Sequence, residues 1–370
     1  MTSASLDSDS EPVVSAGVPP LGPEGRALDE IGGPNYAVPL PFWSMAHPQH
    51  AQVQLLAQER AESYGLFRSE TTRSKFHSLG YGRLMSYACP TADLDALRLM
   101  VEWNTYFFLF DDQQNYAMLN DRAEDYGWLQ RTIRRMVASH GSAPHSGHPL
   151  VAALSDLCRR TFPRMSIAWG ARFEENLRRW LDGQSQENKF RVIGKTPTVN
   201  EYVQMRRDAS TVYAHIDLME IGEQTEIPDD LYRSIPFQSL VESTTDIMCW
   251  INDIHSLPVE TVEGDPINLV TVLQDHDGLG PHEAVAAVSD LVASRVEDHI
   301  TAIRELQERM EETCVPHPIR EAVLRCVRDQ GSWAAGMELW DRTDTIRFSC
   351  GELQGPNRPP QYAEDLLTPP

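Results

Sequence analysis

The stretch INDIHSLPVE, residues 251–260, sets Asn252, Ser256 and Glu260 at four-residue intervals. On a helix these positions fall within about 80° of one another, on a single stripe. Their side chains end in an amide, a hydroxyl and a carboxylate, all hard oxygen donors. Mg²⁺ prefers such donors and leaves its remaining positions to water and phosphate oxygens. The plainer reading is a polar stripe facing solvent. Pro258 stands inside the stretch. It removes one backbone hydrogen bond and crowds the preceding turn, which predicts a local kink or an early helix end near Glu260. A second acidic group, Asp111 and Asp112 in FFLFDDQQN, closes a run containing Tyr106, Phe107, Phe108 and Phe110. A bare pair of aspartates is commonly a solvated helix end. A charged pair abutting buried aromatics must instead find a partner.

The segments that carry these groups read as helices almost throughout. AVAAVSDLVASRVEDHITAIRELQERMEE repeats apolar residues at three and four with charges between them, and DLDALRLMVEWNTYFFLF, HPLVAALSDLCRRTF and REAVLRCVRDQGSWAAGMELW do the same. Breaks rich in Pro and Gly separate them, such as HGSAPHSGHP and HDGLGPHE. Convincing alternating strands are missing. The prediction is one all-α domain over residues 36–350, a helical bundle around a deep apolar pocket. Residues 1–35, rich in Ser, Pro, Gly and acids, are expected to form a disordered tail. Residues 351–370 are expected to be a flexible C-terminal tail able to fold over a site as a lid.

The chain has 370 residues, 41% hydrophobic and 23% charged, with a formal net charge of −22. So acidic a chain argues against nucleic acid or an anionic membrane as partner. It suits a protein that gathers divalent cations, although on charge alone solubility is the favoured account. No apolar run reaches the roughly 18 residues that a membrane span needs. Six cysteines without paired spacing, and no secretory leader before them, point to reduced thiols and a cytoplasmic protein. RVIGKTPT invites a phosphate-loop reading, but that pattern needs glycine where Lys189 stands, and no strand precedes it.

NDIHSLPVE resembles the magnesium triad of class I terpene synthases, matching at Asn252, Asp253, Ser256 and Glu260. FFLFDD resembles the aspartate-rich motif of the same family. EGDPINLVTVLQDHDGLGPHEAV downstream and PLPFWSMAHP upstream are similar to bacterial members as well. The resemblance implies three Mg²⁺ ions, one held by Asn252, Ser256 and Glu260 and the others by Asp111, with Asp112 in support. It places a diphosphate-sensing arginine 46 residues before Asn252, at Arg206, with Arg207 as a rival. Ala209 and Ser210 then take the linker and effector positions. WDRTDTIRF gives Trp340 and then Arg347 as a second diphosphate ligand. The chain departs from the family pattern at four places: Asn115 and Tyr116 where a third acid is expected, Val259 for lysine, Ser210 for glycine and Phe348 for tyrosine.

The implied reaction is ionisation and cyclisation of a linear prenyl diphosphate, farnesyl (C15) first and geranylgeranyl (C20) next. Loss of diphosphate leaves an allylic cation that water would quench, so the pocket must be dry. Phe107, Phe108, Trp250 and Trp340 are the candidate walls, since an aromatic face stabilises a cation by about 0.5–2 kcal/mol. Plain core packing is the competing reading for each. A homodimer is the family habit. The alternatives are a catalytically impaired homologue, a helical interaction scaffold, and a prenyl chain-elongating synthase, which normally carries two aspartate-rich motifs.

Overall fold

The computed structural model describes residues 32–145, 147–348 and 364–368. Among them every regular element is helical: α1 (His50–Ser63), α2 (Glu70–Leu79), α3 (Tyr81–Ala88), α4 (Leu94–Leu119), α5 (Ala123–Ala138), α6 (Pro149–Thr161), α7 (Ile167–Ile193), α8 (Val199–Ala209), α9 (Val212–Gly222), α10 (Asp229–Tyr232), α11 (Ile235–Glu263), α12 (Leu269–Asp277), α13 (Pro281–Glu312) and α14 (His317–Leu339), which runs into a π turn at Trp340–Asp344. No described helix is long and apolar enough to cross a membrane.

Local chemistry sets the helix starts. The Asp93 carboxylate accepts the Ala96 N–H at 2.8 Å and caps α4. Ser166 and Ser234 cap α7 and α11, and Thr198 with Glu201 forms a capping box on α8. Helix α13 buries a stripe that includes Val285, Val288, Val292, Val296, Leu306 and Met310, the spacing expected of an amphipathic helix against a core. Rings fill the centre: Trp180 meets Phe107 edge-on at 4.8 Å, and Trp103 meets Phe173 at 5.3 Å.

Three expectations need correction here. Pro258 does not end α11 near Glu260; the helix continues to Glu263 and stops at Gly264, in the left-handed region at φ 70°. Pro258 has no N–H to give the Ile254 carbonyl one turn back. That carbonyl instead accepts the Gly33 N–H at 2.8 Å, and a Cβ on Gly32 would stand only 2.9 Å from the same oxygen. Gly32 and Gly33, inside the expected disordered tail, are therefore buried against α11; residues 1–31 lie outside the described residues.

The C-terminal expectation changes in the same way. Residues 349–363 lie outside the described residues, but 364–368 are docked. Glu364 Oε1 accepts the N–H groups of Arg68 and Ser69, each at 2.8 Å. The buried Gln113 amide accepts from Leu366 N–H at 2.8 Å and donates to the Glu364 carbonyl at 3.3 Å. Leu366 and Leu367 are buried, and Asp365 pairs with Arg122 at 3.0 Å. The segment is a strap on the back of α4, tied down by apolar burial and backbone bonds.

Candidate active site

A cavity of about 440 Å³ lies among α4, α7, α8, α9, α11 and α14. Helix α4 lines it with Asn104, Phe107, Phe108, Asp111, Asp112 and Asn115, and α11 with Met248, Cys249, Asn252, Ser256, Val259 and Glu260. The repeats of three and four put each set on one helix face. The two acidic groups of the sequence thus border one chamber.

Asp253 organises the α11 end of this chamber although it turns away from it. Its fully buried carboxylate accepts from the Tyr202 hydroxyl, from Leu269 N–H at 2.8 Å and from Arg206 at 3.2 Å. Arg206 also donates to the Asn252 amide oxygen at 3.0 Å. Burial opposes the charge of Arg206, but Asp253 holds its pKa well above the ordinary value. Asn268 donates to the Glu260 carboxylate and to the Asp253 carbonyl, both at 2.7 Å, and so fixes the third member of the triad.

Of the two adjacent arginines only Arg206 lines the cavity, and Arg207 is engaged elsewhere. It forks onto Asp246 with two bonds of 2.7 Å and onto Glu242 at 2.9 Å, and it does not line the cavity. Successive helix positions point about 100° apart, which separates the two arginines. Ser210 does line the cavity, at the break between α8 and α9, and its hydroxyl donates back to the Arg207 carbonyl at 3.0 Å. Gly183 of α7 makes room for that break: a Cβ there would lie 2.2 Å from Ala209 N.

At the other wall, the Arg347 guanidinium lies 4.5 Å over the Phe108 ring and 3.7 Å from Asp112. It also donates to the Tyr81 hydroxyl at 3.4 Å, so a phenol from α3 stands near this arginine although Phe348 offers none. Trp340 lines the cavity and donates its indole N–H to the Leu79 carbonyl at 2.9 Å.

Trp250 is a correction. It is buried but absent from the cavity wall, because two residues before Asn252 means about 200° around the helix. Trp180 and Trp333 supply the walls instead. The sequence reading also missed Arg191, which lines the cavity between Asp265 at 2.9 Å and Glu187 at 3.2 Å. Its spacing of four from Glu187 was a usable signal; Asp265 lies too far along the chain to give one.

The donors suit a divalent cation. Ser256 Oγ is buried and has no hydrogen-bond partner among the described residues. Burial first, and then the nearby charges of Asp265 and Asp253, pushes Glu260 up to about 8. Among the described residues no three His, Cys, Asp or Glu side chains converge on one point, so the α11 set is mixed: amide, hydroxyl and carboxylate.

Comparisons with known proteins agree with this layout. Residues 102–298 match the family model described as terpene synthase family 2, C-terminal metal binding. The chain is 31% identical over 317 residues to a (+)-T-muurolol synthase of Roseiflexus castenholzii described as farnesyl diphosphate cyclizing, covering 82% of this chain and 91% of that one. It is 27% identical to the pristinol synthase of Streptomyces pristinaespiralis over 88% of this chain and 92% of the relative. The solved linalool/nerolidol synthase of Streptomyces clavuligerus, 24% identical, superposes with a TM-score of 0.74 over 83% of this chain and all of that one, and so shares the fold. The chain belongs to the bacterial class I terpene synthase family.

Proposed function

We propose that this chain ionises farnesyl diphosphate (C15) and cyclises the resulting cation, releasing diphosphate, with three Mg²⁺ ions as cofactor. The observation that carries the reading is the meeting of Asp111 with Asn252, Ser256 and Glu260 around one chamber that also holds Arg206 and Arg347. Farnesyl diphosphate is preferred over geranylgeranyl (C20) because two similar proteins, the muurolol and β-caryophyllene synthases, are described as farnesyl diphosphate cyclizing. Asn252, Ser256 and Glu260 would hold one ion and Asp111 the others, with Asp112 in support. Bound there, Mg²⁺ supplies Lewis-acid stabilisation of the departing oxygens.

The chain's own residues do the rest. Arg206 and Arg347 grip the diphosphate, a task suited to a planar fork of N–H donors. Arg206 now occupies the Asn252 oxygen, and two cations do not share one amide oxygen at low cost. An ion held on Asn252 would therefore leave the Arg206 guanidinium to turn toward the diphosphate. Ser210, four residues on at the helix break, is where that movement reaches the hydrocarbon. Phe107, Phe108, Trp180, Trp333 and Trp340 keep water away from the cation and offer it ring faces. We place the protein in the cytoplasm on its cysteines, of which the five described are all free.

The test is incubation with geranyl, farnesyl and geranylgeranyl diphosphates, with Mg²⁺ or with chelator, and mass spectrometry of the extract. A Mg²⁺-dependent cyclic C15 product supports the reading. A cyclic C20 product alone would correct the substrate, and no product from a folded protein would reject the activity.

A further inference from the structure

Asn104 is a polar side chain in the wrong company. It is 2% exposed, and it lines the cavity on the same α4 face as Phe107, Phe108 and Asp111. It sits two turns below Asp111, away from the metal-binding end and among rings. Its Nδ2 donor has no hydrogen-bond partner among the described residues. Trp180, Trp333 and Gln184 line the same cavity, and their indole N–H groups and amide oxygen likewise have no hydrogen-bond partner among the described residues. Buried polar groups are normally paired, and each exception needs an account. A buried water makes two to four hydrogen bonds; one that accepts from the Asn104 Nδ2 donor keeps a second lone pair free.

We propose that Asn104 holds one ordered water at the aromatic end of the cavity, and that this water captures the last carbocation, so that the main product is a terpene alcohol. The proposal rests on the terpene-cyclising reading above. The water oxygen gives an electron pair to the cationic carbon and a C–O bond forms. The extra proton passes to an oxygen of the diphosphate released in the ionisation step. No oxidant or further reactant is needed. One held water is compatible with a chamber closed to bulk solvent, because its position on Asn104 decides which carbon it can reach.

The experiment uses the full-length protein with farnesyl diphosphate and Mg²⁺ in ¹⁸O-labelled water, followed by mass spectrometry. The expected result is a main product alcohol carrying the heavy oxygen. In Asn104→Leu, close to Asn in volume, the alcohol-to-hydrocarbon ratio falls about tenfold, the effect of losing the bonds that hold the water, while substrate consumption stays within severalfold. A merely structural role would lower consumption and leave the ratio alone. Asn104→Ser keeps a hydroxyl, covers the case in which the leucine variant does not fold, and is expected to keep part of the alcohol. A hydrocarbon main product in the wild type, or an unchanged ratio in both variants, overturns the proposal. Silence of the wild type with every prenyl diphosphate overturns the reading beneath it, and the proposal with it.

Discussion

Gly33 donates its backbone N–H to the Ile254 carbonyl at 2.8 Å, the carbonyl that Pro258 leaves without its helical partner. A proline that should cost the helix about 3 kcal/mol thereby creates a docking point midway between Asn252 and Ser256. The neighbouring His255 strengthens it: its Nε2 lies 2.9 Å from the Tyr36 carbonyl, which can only accept, and its Nδ1 lies 3.2 Å from Asp341. The N-terminal segment is thus a brace behind the stripe of Asn252, Ser256 and Glu260. Deleting residues 1–35 uncovers the Ile254 carbonyl and is expected to lower stability by about 1–3 kcal/mol. Urea unfolding checks this, and an unchanged midpoint would show that the brace carries no load.

Gly183 should be irreplaceable. Its missing Cβ leaves room for the Asp208–Ala209 backbone, which cannot yield as a flexible side chain could. Gly183→Ala is expected to cost about 1–3 kcal/mol by overpacking. Because the displaced segment leads into Ser210, kcat/KM should fall by about 100-fold. A melting curve and steady-state kinetics separate the two effects.

The two adjacent arginines should behave oppositely. Arg206→Ala is expected to weaken binding of inorganic diphosphate with Mg²⁺ and to lower turnover by about 100-fold or more. Arg207→Ala breaks the pairs with Asp246 and Glu242 and should lower the melting temperature while leaving diphosphate binding near wild type. Calorimetry on both variants decides the matter; equal loss of binding would return Arg207 to candidacy.

The C-terminal strap should depend on pH in one direction. Burial works against the Glu364 charge, but the Arg68 and Ser69 N–H donors hold its pKa below the ordinary 4.5. A depressed folded-state pKa gives stability that is present above the unfolded value and lost as pH falls through the folded one. Wild type should therefore melt above Glu364→Gln at neutral pH, and the gap should close as pH drops below 4.5. A gap that persists in acid would mean that shape, rather than charge, holds the strap.

Much of this site was legible because it repeats at helical spacing. Asn252, Ser256 and Glu260 declare one stripe, and Asp111 follows an aromatic run on one helix. The apolar periods likewise gave the all-α architecture. What was hidden depends on partners far apart in the chain. Nothing near Pro258 names Gly33, and nothing near Gln113 names Leu366. Trp250 was misplaced because proximity to Asn252 in sequence says little about side when successive residues turn by about 100°. Gly183 and Arg191 matter through the backbone or charge that they face, which only the packing reveals.

The most direct test of the account is Asn252→Ala, incubated with farnesyl diphosphate and Mg²⁺ beside the wild type. The account predicts a cyclic C15 product from the wild type, none from the variant, and the same helical circular dichroism for both. A folded Asn252→Ala protein with full activity would contradict it, because the α11 stripe would then not be where the metal is held.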